Sequence, residues 1–147
     1  MILFWRLHSR APIRVESAIT SIELTLLLWA AALAVIQTVI AAIGAITQVG
    51  LPTLAGNREP MPELTGWVGR ANRSHRNMLE SLVLFAILVL VAQTMGTTNE
   101  MTVLGAKLFF WARVAYVPIY IIGLPWVRTG AWAVSLLGLV LIFLQLI

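Results

Sequence analysis

The stretch from Arg73 to Glu80 packs two arginines, a histidine, an asparagine and a glutamate directly against an unbroken apolar run, Leu82 to Ala92. No other feature restricts the fold as much. A charge facing lipid costs roughly 2.5 to 3.5 kcal/mol even on the lenient insertion scale, so these groups need partners or a ligand. On a helix, Arg73, Arg76, Asn77 and Glu80 fall at i, i+3, i+4 and i+7, within an arc of about 100°. One polar stripe can then face protein while the other faces meet lipid.

The composition agrees with a membrane protein. The 147 residues are 60% hydrophobic and 11% charged, with mean hydropathy +0.92, where a soluble domain carries about 25% charged residues. The apolar residues come in long blocks, which predicts helical spans and excludes a β-barrel. The fold class is an all-α, four-transmembrane-helix bundle, with spans at about 19–46, 69–93, 100–123 and 126–147. Residues 1–18, carrying Arg6, Arg10 and Arg14, form a basic leader, interfacial or disordered; 19–147 form the membrane domain. Pro52, Pro60 and Pro62 forbid one continuous helix through the first connection. The net charge of +4 is spread along the chain, so no nucleic-acid partner is implied. With no cysteine and only His8 and His75, no metal site is expected.

Depth brings separate stripes together. Glu80 lies about 11 residues into span two and Arg113 about 11 residues from the end of span three, so both sit roughly 16 Å down. They are expected to form a structural ion pair that fixes helix register. Arg113, Tyr116 and Tyr120 share a face within about 60°. Arg128 and Thr129 open span four at the same surface. The inventory suits a small, multiply anionic zwitterion: arginine forks for carboxylates, Glu80 and Asn77 for an ammonium or amide, and tyrosine hydroxyls on apolar rings. Plainer readings stand beside this one. Arg73 and Arg76 can snorkel to lipid phosphates, the tyrosines can be packing, and Arg128 can be a topology signal. His75 points away from the stripe. Glu23 and Lys107 lie near the other surface and are expected to pair. Trp67, Trp126 and Trp132 read as interface anchors, and Pro118 as a kink freeing a carbonyl toward the pocket. The basic residues lean toward a cytoplasmic first connection.

Arg73-x-x-Arg76-Asn77-x-x-Glu80, Arg113-x-x-Tyr116-x-x-x-Tyr120 and Arg128-Thr129, on a four-span layout over about residues 20 to 147, resemble the MAPEG superfamily (membrane-associated proteins in eicosanoid and glutathione metabolism). The short loops look most like its small bacterial branch, which implies a multi-pass protein of the bacterial inner membrane. The resemblance implies a homotrimer with glutathione as co-substrate between subunits. Arg73, Arg76, Asn77, Glu80, Tyr116, Tyr120 and Thr129 would then bind glutathione, and Arg128 would act catalytically by stabilising its thiolate. A fixed cation beside sulfur favours the anion of a thiol whose ordinary pKa is about 8.5. The implied reaction is glutathione transfer to, or peroxide reduction of, a lipophilic substrate arriving through membrane lipid. The sequence departs from the eicosanoid synthases twice: the first span offers Glu23 and Gln37 where they carry an arginine, and Ser81 follows the motif glutamate where one of them has an aromatic residue. The alternatives are a non-catalytic lipid- or glutathione-binding scaffold and a small transporter. The clustering of polar groups in one half of the bilayer speaks against transport.

Overall fold

The computed structural model describes residues 21–57 and 61–147; the basic leader over 1–18 lies outside them. The chain forms α1 (Ile22–Val49), α2 (Leu51–Ala55), α3 (Gly66–Met95), α4 (Glu100–Ile122) and α5 (Pro125–Phe143). All but α2 are long and apolar enough to cross a membrane, and no strand occurs among the described residues. The protein is an integral, multi-pass, four-helix membrane bundle.

Local chemistry sets the helix ends. The Ser21 hydroxyl accepts the Leu24 N–H at 3.2 Å and starts α1, satisfying a donor the first turn leaves open. Asn99 and Thr102 form a reciprocal capping box at the start of α4. Between α4 and α5, Gly123 takes φ 91°, a left-handed conformation that side chains resist, and Pro125 then opens α5. The Arg70 Nε donates to the Ile121 carbonyl at 2.8 Å, so an arginine of α3 caps the end of α4. The fourth span was expected to run to Ile147, but α5 stops at Phe143. Gln145, in the turn beyond, instead accepts from the Asn99 amide at 2.9 Å.

The bundle is not evenly packed. α5 lies closely on α4, touches α3 less, and does not touch α1. The α4–α5 seam is tight because Gly105 and Gly138 face each other. A Cβ added at Gly105 would lie 2.6 Å from the Gly138 carbonyl oxygen, the close backbone approach that small residues permit in membranes. Phe85 of α3 stacks on Phe109 of α4 with ring centroids 4.1 Å apart. Met78, Val89, Ala106, Leu139 and Ile142 are buried around them. The loosely joined α3–α5 seam is where space remains.

At the end of the bundle near Ser21, the Gln93 amide donates to the Ser21 hydroxyl. Glu23, buried at 3% exposure, takes the Thr102 hydroxyl at 2.6 Å. The expected Glu23–Lys107 pair does not form: Lys107 is exposed, and Thr102, fully buried, reaches the carboxyl without moving a second charge out of water.

Candidate functional site

Arg113 is the centre of the opposite half. It is buried at 3% exposure, yet no acid pairs with it among the described residues. The expected Glu80–Arg113 ion pair is absent. Arg113 Nη1 donates to Asn77 Oδ1 at 2.5 Å, one helical turn before Glu80, while Glu80 is exposed. The guanidinium also lies over Phe109 at 5.5 Å and Tyr116 at 5.3 Å, and its Nε has no partner. A neutral amide and two ring faces offset only part of the cost of a buried cation. The remaining demand is for an anion.

A line of contacts runs outward from Arg113. Tyr116, 5% exposed, meets Tyr120 edge-to-face at 5.3 Å. Arg128 lies over the Tyr120 ring at 4.5 Å. The i, i+3, i+7 spacing on α4 thus joins the α3 stripe to the first turn of α5. Among the described residues, no hydrogen bond occupies either tyrosine hydroxyl or the guanidinium of Arg128, and the carboxylate of Glu80 has neither hydrogen bond nor ion pair. Tyr116, Tyr120 and Arg128 thus present hydrogen-bond donors that no described residue occupies.

A cavity of ≈170 Å³ opens beside this line, between α3 and α5, lined by Asn77, Glu80, Ser81, Arg113, Trp132 and three leucines. It shares Leu84, Leu136 and Leu139 with a second cavity of ≈340 Å³ that has a wholly apolar lining and runs on to Phe143. The two form one groove, polar at the Arg113 end and greasy along the rest. Trp132 was read from the sequence as an interface anchor. Its signal as a site residue was its position one turn beyond Arg128, on the same face of α5.

Tyr116, Tyr120 and Arg128 stand beside the groove without lining it, and three other expected site residues lie apart from both. Arg73 is exposed on α3 and has no hydrogen bond or ion pair among the described residues. Thr129 is exposed and its hydroxyl donates to the Pro125 carbonyl of its own helix at 3.0 Å. Arg76 lines a separate cavity against α1 and α2. The 100° arc of the α3 stripe explains the division: Arg76 stands at its α1 edge and Asn77 at its α4 edge. His75, facing α1, approaches the Thr38 hydroxyl at 3.4 Å and takes no part in the groove. No metal-binding group of three or more His, Cys, Asp or Glu occurs among the described residues.

The sequence model of the MAPEG family matches residues 24–147, all four long helices. The chain belongs to the MAPEG family. No curated protein and no solved structure matches it. Membership supports a glutathione-related role in the membrane. In this MAPEG protein Asn77, Glu80 and Arg113 share one cavity, with Tyr116, Tyr120 and Arg128 following in contact.

Proposed function

We propose that this protein binds glutathione at the Arg113 end of the groove and uses its thiolate against lipophilic electrophiles or peroxides. One observation carries the reading: a buried arginine with no acidic partner, opening onto a cavity that turns wholly apolar a helical turn away. Arg113 and Arg128 supply cations for the tripeptide's carboxylates and thiolate, Asn77 and Glu80 hold its ammonium and amide groups, and the tyrosine hydroxyls orient it. Glu80 is exposed on α3 and stands 14 residues in from Gly66, a charge that a membrane-spanning helix cannot leave against lipid at low cost. A homotrimer that buries this face and closes glutathione between subunits accounts for it. The apolar groove would receive the second substrate.

The chemistry asks little of the protein beyond placement and charge. Near neutral pH a free thiol is mostly protonated, and a guanidinium at hydrogen-bond distance shifts it toward the thiolate. In transfer, the sulfur lone pair forms a C–S bond while the substrate's displaced electron pair takes up a proton. In peroxide reduction, two glutathiones and one hydroperoxide give the disulfide, the alcohol and water.

The test is spectroscopic. Glutathione added to purified protein near neutral pH should produce the ultraviolet absorbance of a thiolate, and Arg128→Ala should abolish that signal. Glutathione binding with no thiolate signal in the unaltered protein would replace the enzyme with a binding scaffold. Absence of binding would reject the reading altogether.

A further inference from the structure

The cavity between α1, α2 and α3 has no part in the chemistry above. It encloses ≈550 Å³, within the range of about 300–1,000 Å³ typical of ligand sites. Its floor on α1 is Ala41, Ala42 and Ala45, and Leu51 of α2 closes one wall. Every described lining residue is apolar except Asn72 and Arg76, which stand one turn apart on α3. Among the described residues no carboxylate lines the space, and Arg76 has no hydrogen bond or ion pair.

Position narrows the ligand. The 30 residues of α3 span about 45 Å, against ~30 Å of hydrocarbon. A centred helix therefore extends about 7 Å past each face, and Arg76, ten residues from Gly66, has its Cα about 8 Å inside. From there a guanidinium snorkels to the headgroup phosphates, its stem lying along apolar surface. A soluble anion would satisfy the arginine but leave the alanine floor bare. A ligand with both an anionic head and a hydrocarbon chain uses the whole cavity.

We propose that this cavity holds an acidic membrane phospholipid, with its phosphate on Arg76 and Asn72 and one acyl chain over Ala41 and Ala45. A net negative headgroup is favoured over a zwitterionic one because Arg76 meets no acid among the described residues of the cavity. The site is separate from the glutathione groove: the two share no lining residue.

The experiment uses the full chain, purified in a neutral detergent and stripped of lipid. Native mass spectrometry and thermal unfolding are followed with phosphatidylglycerol, phosphatidylcholine, glycerol 3-phosphate and glutathione as separate additions. Phosphatidylglycerol should bind about tenfold tighter than phosphatidylcholine, the factor expected for one charge-assisted contact, and glycerol 3-phosphate should leave the unfolding temperature unchanged. Arg76→Gln should bring the two lipids to equal affinity. Ala42→Leu, at an exposed position that fills the space, should weaken both lipids and leave glutathione binding as it was. Retention of the lipid preference in Arg76→Gln would overturn the proposal. So would glycerol 3-phosphate matching phosphatidylglycerol, or glutathione displacing it. The lipid measurements stand whether or not glutathione binds.

Discussion

Glu23 and Arg113 are equally buried, each 3% exposed; Glu23 sits at one end of the bundle and Arg113 in the other half, near the middle of α4. Around Glu23 most polar groups find partners: Thr102 bonds the carboxyl, Asn99 caps α4, Gln93 reaches Ser21, and Gln145 reaches Asn99, with only the Thr97 hydroxyl left over among the described residues. Around Arg113 they do not. One amide and two ring faces attend the guanidinium, its Nε has no partner, and a cavity opens beside it. A polar network that closes on itself specifies how helices assemble. One that stays open toward a cavity stores a demand that only a ligand meets. The same degree of burial thus marks a structural network in one half and, under the proposed function, a ligand site in the other.

The most direct attack on this contrast is Arg113→Met. Removing a buried, poorly compensated cation in favour of an apolar side chain of similar length is often neutral or stabilising. Unfolding in detergent should therefore shift by less than about 1 kcal/mol. Glutathione binding should weaken by about 10- to 100-fold, the loss expected for hydrogen bonds between charged groups. If calorimetry finds binding intact while stability collapses, Arg113 is a structural group and the two ends of the molecule are alike.

Glu23→Leu should give the reverse. The buried Thr102 hydroxyl loses its contact across the bundle and retains the Asn99 carbonyl of its own turn, 2.8 Å away. Destabilisation of about 1 to 2 kcal/mol is expected, with glutathione binding per folded molecule unchanged. An equal loss of binding would mean that the closed network is coupled to the site through α1 or α4.

Much of this contrast was visible before any coordinates, and what was missed has a physical cause. The apolar blocks announced the four-helix membrane bundle because a bilayer admits few alternatives. Depth counting on α3 and α4 put Arg113 level with Glu80, whereas its partner is Asn77. Helix geometry resolves height to about one turn, and the choice within that turn depends on tilt and rotamer, which spacing does not encode. Glu23 was assigned to Lys107 by charge. The structure instead used an uncharged hydroxyl already fixed by a capping box. Opposite charges draw the eye in a sequence, while a buried threonine looks like any other helix residue. The splitting of Arg76 from Asn77 was likewise unreadable, since an arc of 100° is one face until neighbouring helices divide it. The division of the α3–α5 seam into a polar and an apolar stretch needed the tight Gly105–Gly138 contact, which draws α5 toward α4.

The smallest expected effects test whether the closed end acts as a unit. Asn99→Ala removes a helix cap and should cost about 1 kcal/mol. It also removes the donor to Gln145, whose bond lies beyond the end of α5 in an exposed turn. Gln145→Ala alone should cost about 0.5 kcal/mol, because water replaces an exposed partner readily. In a double-mutant cycle the two changes should couple by less than that amount, since the cap on α4 forms without Gln145. A coupling several times larger would show that the tail after Phe143 holds α4 in place. The closed end would then extend to the last residues of the chain, and truncating them should loosen Glu23 and Thr102 as effectively as mutating either one.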